Sequence, residues 1–199
     1  MNIVYHEKGK VFHLFNDSIS YIFMVLPHGG LGSLYYGKVL RDRAGFEHIF
    51  ERVHRGMSAC VFADCRDYSL DAIRQELPTY GSSDFRRPAL NVLQENGSRI
   101  LDMQYTGYRI TDGKPKLAGL PATYVESDDE AKTLIVEVKD AVTGLRAELL
   151  YTIFAEGGAI ARSVRYSNDG QEVLHLQKVM SMSIDLPDTE YDWMELTGA

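Results

Sequence analysis

Short runs of alternating apolar and polar residues, each closed by a turn signal, recur along most of the chain. Alternation with period 2 places every second side chain on one face of a strand. Apolar stripes with helical period are nearly absent, so the pattern points to an all-β fold. Val11-Phe12-His13-Leu14-Phe15 leads into the turn residues Asn16-Asp17-Ser18, and Ile19 to Leu26 follows as a second strand. Pro27-His28-Gly29-Gly30 turns the chain, and Leu31 to Tyr36 forms a third strand ending at Gly37. Aromatic and β-branched residues fill these runs, as a pleated, half-buried surface favours. The first segment is a β-meander.

Further strands are predicted at Ala89–Gln94, Arg99–Ile110, Thr133–Lys139, Leu145–Phe154, Ile160–Tyr166 and Val173–Ile184. Glu95-Asn96-Gly97-Ser98 reads as a hairpin turn joining the first two of these, because Asn-Gly accepts positive φ. Gly and Pro clusters make residues 111–122 a loop. About ten strands with short turns define a large antiparallel β-sandwich. No fixed-period repeat and no linker divides the chain.

From Arg41 to Pro78 the alternation degrades into a long excursion. Phe46, Ile49, Phe50 and Val53 recur at near-helical spacing, which fits a single helical turn, while Arg52, His54 and Arg55 interrupt any strand. Long irregular segments of this kind are commonly functional. The aromatic residues Phe46, Phe50, Phe62 and Tyr68 favour an ordered excursion, with a partner as one source of the order. The loop Tyr80–Ala89 follows. There Gly81, Ser82, Ser83 and Asp84 supply turn chemistry, Arg86 and Arg87 add two cations, and Pro88 restricts the backbone. Two readings stand: a site for an anion, a sugar or a partner chain, or a loop tied down by an Arg–Asp pair.

The net charge of −7 over 199 residues leaves no basic stripe to neutralise phosphates, which argues against nucleic acid. Cys60 and Cys65 lack the spacing of a zinc site and read as free thiols. The histidines are dispersed, and His6, His13, His28 and His175 read as strand-surface or packed residues rather than ligands. Gly29-Gly30-x-Gly32 has the wrong spacing for a dinucleotide, and no metal or cofactor is expected. The longest apolar run, Tyr21–Leu26, is too short to span a membrane, and the N-terminus has no signal-peptide pattern. A cytoplasmic protein is expected. Trp193-Met194-Glu195-Leu196-Thr197-Gly198-Ala199 stops without a polar tail, as though cut within a larger protein.

Paired carboxylates carry most glycoside hydrolysis, and two acidic groups are present: Asp128/Asp129/Glu130, and Asp185/Asp188/Glu190/Asp192. The first reads as a solvated turn and the second as surface, and spacing marks neither as catalytic. His54 and Arg66 differ because both lie in the excursion. A guanidinium fork and an imidazole there could orient a polyhydroxylated ligand without breaking a bond.

Several stretches, in order and with near-constant spacing, resemble bacterial α-galactosidases of glycoside hydrolase family 36. They are Leu34-Tyr35-Tyr36-Gly37-Lys38, Gln75 through Gly81, Asp84-Phe85-Arg86-Arg87-Pro88-Ala89, Gly113 through Glu126, and Asp185-Leu186-Pro187 through Ala199. The resemblance implies that residues 1–199 are an incomplete N-terminal β-supersandwich, galactose-mutarotase-like. A TIM barrel carrying both catalytic aspartates of a retaining mechanism would lie beyond it. It further implies action on terminal α-galactosyl units of melibiose- or raffinose-type sugars, a homotetramer, and an excursion loop reaching an active site. Arg66 matches a substrate contact of the family; His54 stands where the family has an acidic one. Asp84 and Arg86 become a fingerprint that clamps a loop or supports a subunit contact. The 199 residues alone are then expected to be inactive. The rival readings are a stand-alone carbohydrate-binding or oligomerisation module, and a mutarotase-like epimerase.

Overall fold

The computed structural model describes residues 1–52, 62, 64, 65, 68–70, 72–81, 86–119, 122–187, 189–192, 194 and 195. Among these residues ten strands carry the fold: β1 (Asn2–His6), β2 (Val11–Phe15), β3 (Ile19–Val25), β4 (Leu31–Lys38), β5 (Leu90–Leu93), β6 (Met103–Asp112), β7 (Ala131–Asp140), β8 (Leu145–Phe154), β9 (Ile160–Asn168) and β10 (His175–Val179). All pairings between these strands are antiparallel. One four-stranded sheet runs β1-β2-β3-β4 and a second runs β6-β7-β8-β9, while β5 pairs with β10. The all-β, antiparallel sandwich read from the sequence is the observed fold.

Alternation decides which side chains meet between the sheets. Phe12 and Leu14 of β2, with Tyr21 and Phe23 of β3, face Leu149, Tyr151 and Ile153 of β8 in one buried cluster. Within the first sheet Phe12 stacks on Phe23 at 4.9 Å, and Phe23 bridges the layers by stacking on Tyr151 at 4.7 Å. Burying each such ring stabilises the fold by about 1.5–3 kcal/mol. Asn16 ties the layers at one end. Its Nδ2 donates to the carbonyls of Phe154 and Gly157, and its Oδ1 accepts from the N–H groups of Ser18 and Ile19.

Every residue of β3 is buried, so the first sheet is covered on both faces. Its outer face carries Val11, Ile22, Met24 and Leu34, and these pack against Phe46, Tyr68, Leu70 and Ile73 of the excursion. The aromatic order anticipated there is thus supplied by the chain's own sheet. The single turn of helix lies at Glu47–Ile49 and is of the 3₁₀ type.

Three local readings are corrected. The N-terminal residues form β1, which the sequence reading did not assign. The turn at 95–98 is present, with Gly97 at φ +83° and Gln94 N–H donating to Ser98 O, but it does not join a hairpin. β5 pairs instead with β10, and β6 pairs with β7 across residues 113–130. Val173–Ile184 yields only the short β10.

Candidate functional site

Of the four residues singled out from the sequence, His54, Arg66 and Asp84 lie outside the described residues. Arg86 lies within them, inside the Tyr80–Ala89 loop. Its Nη1 donates to Asp185 Oδ2 at 2.5 Å, and its Nη2 donates to the carbonyls of Ile73 at 2.5 Å and Leu70 at 3.4 Å. One planar fork therefore fastens the end of the excursion to the segment after β10. Only arginine offers donors in that fixed geometry. The pairing left no sequence signal because Arg86 and Asp185 are 99 positions apart.

A second anchor holds the middle of the excursion. His28, at φ +69° in the turn between β3 and β4, stacks on Phe62 with ring centroids 3.7 Å apart and planes at 1°. Phe62 packs in turn on Tyr68 at 5.2 Å. Burial pushes the Tyr68 phenol above its ordinary range. A narrow cleft lined by His28, Phe62, Tyr68, Gln75, Thr79 and Asp102 opens beside this stack. Sequence reasoning missed His28 as an anchor, since a histidine after proline in a turn carries no mark of the ring it will meet.

Between the β4 and β9 edges sits a buried charge. Glu76 is 1% exposed, and its carboxylate accepts hydrogen bonds from Tyr21 Oη at 2.9 Å to each oxygen, from Tyr151 Oη at 2.9 Å, and from Ser33 Oγ. Arg162 lies 3.6 Å over the Tyr151 ring with Nη2 3.9 Å from Glu76 Oε2. Burial, together with the Glu76 charge, pushes the Tyr21 phenol well above its ordinary range; burial does the same for Tyr151. Both phenols therefore stay protonated and donate. A carboxylate saturated by hydroxyl donors has no face left for substrate, so Glu76 is structural.

The acidic groups weighed for hydrolysis are placed elsewhere. Asp128–Glu130 forms an exposed 3₁₀ turn, where Ser127 Oγ donates to Asp129 and lowers its carboxyl below the usual range. Asp185 is held by Arg86, and Asp188 lies outside the described residues. The dispersed histidines behave differently. His6 and His13 converge on Asp42, a grouping the sequence did not announce.

Fold and site together define an antiparallel β-sandwich domain with a loop braced against one face, Glu76 committed to hydroxyl donors and Asp185 to a guanidinium. Residues 29–199 match the family model described as "Glycosyl hydrolase family 36 N-terminal domain". The chain belongs to that family. Over 199 residues, 100% of this chain, it is 43% identical to alpha-galactosidase AgaA of Geobacillus stearothermophilus, but it spans 27% of that relative's length. The crystal structure of the GH36 alpha-galactosidase AgaB from the same organism superposes with TM-score 0.87 at 42% identity, covering 94% of this chain and 25% of that one. An AgaA variant solved in complex with raffinose superposes with TM-score 0.84 at 44% identity, covering 89% of this chain and 25% of that one. No helix among the described residues is long and apolar enough to cross a membrane.

Proposed function

We propose that residues 1–199 serve as the N-terminal domain of an α-galactosidase that hydrolyses terminal α-galactosyl units of raffinose- or melibiose-type oligosaccharides. The observation that carries this reading is the 43% identity over the whole chain, confined to 27% of an alpha-galactosidase's length. The raffinose complex of a similar protein supports the substrate class. In this reading hydrolysis belongs to a catalytic barrel outside these residues. The domain contributes scaffold, oligomer contacts and orientation of the sugar. Arg66 and His54 are the orienting residues in this reading, and both belong to the excursion whose Leu70 and Ile73 carbonyls Arg86 engages. Asp84 and Arg86 support the loop or a subunit contact. A homotetrameric assembly and a cytoplasmic location belong to the same proposal, on the strength of the family resemblance.

The test is a hydrolysis assay of the purified 199-residue chain with p-nitrophenyl α-galactoside and with raffinose. We expect no turnover above the protein-free blank. Turnover by these residues alone would overturn the division of labour. Calorimetric titration with raffinose adds the contrast with a stand-alone sugar-binding module: saturable binding by the isolated chain would favour the module.

A further inference from the structure

Three side chains with ligand atoms meet on the outer face of the first sheet, each from a different element. His6 ends β1, His13 lies in the middle of β2, and Asp42 follows β4 at the start of the excursion. Register places His6 opposite Val11 and His13 opposite Val4, so the two histidines are diagonal neighbours on one face. Asp42 Oδ1 lies 2.9 Å from His6 Nε2 and 2.7 Å from His13 Nδ1, and the three ligand atoms fall within 4.8 Å of one another. We propose that His6 Nε2, His13 Nδ1 and Asp42 Oδ1 bind a divalent transition-metal ion of the zinc class.

Two imidazoles and one carboxylate form a donor set that suits Zn²⁺, and also Co²⁺ or Ni²⁺. Tetrahedral bonds of about 2 Å separate ligand atoms by about 3.3 Å. The present contacts are shorter because a proton, not a metal, joins each pair, and loading moves the ligands apart by roughly half an ångström. His13 is fully buried, and its ring is fixed by Phe15 at 4.5 Å and Phe46 at 5.0 Å. The Nε2 of that ring lies 2.9 Å from Ser20 Oγ, which also accepts the Leu40 N–H at 2.9 Å. An Nε2–H donated to the remaining lone pair of Ser20 leaves the Nδ1 lone pair for the metal, and such outer partners fix ligand tautomers. His6 and Asp42 keep 16% and 30% of their side-chain surface in solvent, which supplies an entry path and room for a water as fourth ligand. Arg43, next to Asp42, is engaged with His48 at 3.0 Å and lies over Phe46 at 5.7 Å. Bound metal would pin the first residues of the excursion to β1 and β2, whatever chemistry the rest of a larger protein performs.

The test uses the 199-residue chain, tag-free and stripped with chelator, titrated with zinc chloride by calorimetry and by thermal melting. We expect one equivalent of zinc, a rise in melting temperature, and a zinc absorption-edge spectrum with nitrogen and oxygen ligands only. His6→Gln and Asp42→Asn should each weaken binding at least ~10-fold, and Ser20→Ala, which removes the outer partner, by ~10-fold or more. Should Asp42→Asn fail to fold, His6→Gln at the partly exposed end of β1 carries the comparison. The proposal is overturned by an absence of saturable zinc uptake, by sulfur in the ligand shell, or by affinity that His6→Gln leaves unchanged.

Discussion

Arg86 and Asp185 form a charged pair 2.5 Å long that closes the excursion onto the segment after β10, joining positions 99 apart in the chain. The same guanidinium donates to the carbonyls of Ile73 and Leu70, so one side chain satisfies two backbone acceptors as well as the carboxylate.

The brace makes a specific demand on geometry. Arg86→Ala should lower stability by about 2 kcal/mol, within the range for hydrogen bonds to charged groups after allowance for its partly exposed position. Arg86→Lys should lose nearly as much, since an ammonium cannot span two carbonyls and a carboxylate in one plane. Urea denaturation reads both. A lysine variant as stable as the parent would show that charge alone matters.

The Glu76 cluster is the costliest place to remove one partner. Among the described residues Arg162 has no hydrogen-bond partner on any of its three guanidinium nitrogens, and its nearest compensation is the Tyr151 ring and the Glu76 charge. Glu76→Gln strands that cation in the core and should cost ~3–5 kcal/mol. Adding Arg162→Met to the same variant should restore part of the loss, because a buried pair replaced by apolar groups is often near neutral. A double variant less stable than Glu76→Gln alone would contradict this account of the cluster.

Acid should unfold the second sheet through Glu148. Its carboxylate, on β8, accepts from Arg109 at 2.7 Å and from Arg165 at 2.9 Å. Burial alone would raise its pKa, but the Arg109 hydrogen bond and the charges of Arg109 and Arg165 outweigh burial and hold it below the model-peptide value of 4.5. A carboxyl depressed in the folded state contributes stability that is present above its unfolded pKa and is lost as pH falls through the folded one. Denaturation midpoints measured from pH 6 downward should therefore fall below about pH 4.5, and Glu148→Gln should flatten that limb. An acid limb unchanged in the variant would place the titration elsewhere.

The architecture was legible because alternation is a local signal. β2, β3, β4, β7, β8 and β9 lie where the runs of aromatic and β-branched residues placed them. Strand partnership was not legible in the same way. Asn96-Gly97 makes its turn as turn chemistry dictates, yet β5 finds β10, since pairing is settled by core contacts such as Leu90 and Val92 rather than by the nearest turn. The excursion shows the same limit. Phe46 and Tyr68 were marked by aromaticity, but their destination, the outer face of β3, depends on a strand with apolar residues on both sides. Side-chain contacts between distant positions were the least legible. Arg86 with Asp185, and His6 with His13 and Asp42, join residues whose separations carry no periodicity. Arg66 and His54 stood out by their donor chemistry and their place in the irregular excursion, while the match to a substrate contact came only from the family resemblance.

The most direct measurement grafts residues 1–199 in place of the matching segment of alpha-galactosidase AgaA, to which this chain is 43% identical along its full length. We expect the folded chimera to hydrolyse raffinose, and Arg66→Ala within it to raise the KM for raffinose more than it lowers turnover of p-nitrophenyl α-galactoside. A chimera that folds and assembles but turns over neither substrate would contradict the assignment of this domain to an α-galactosidase.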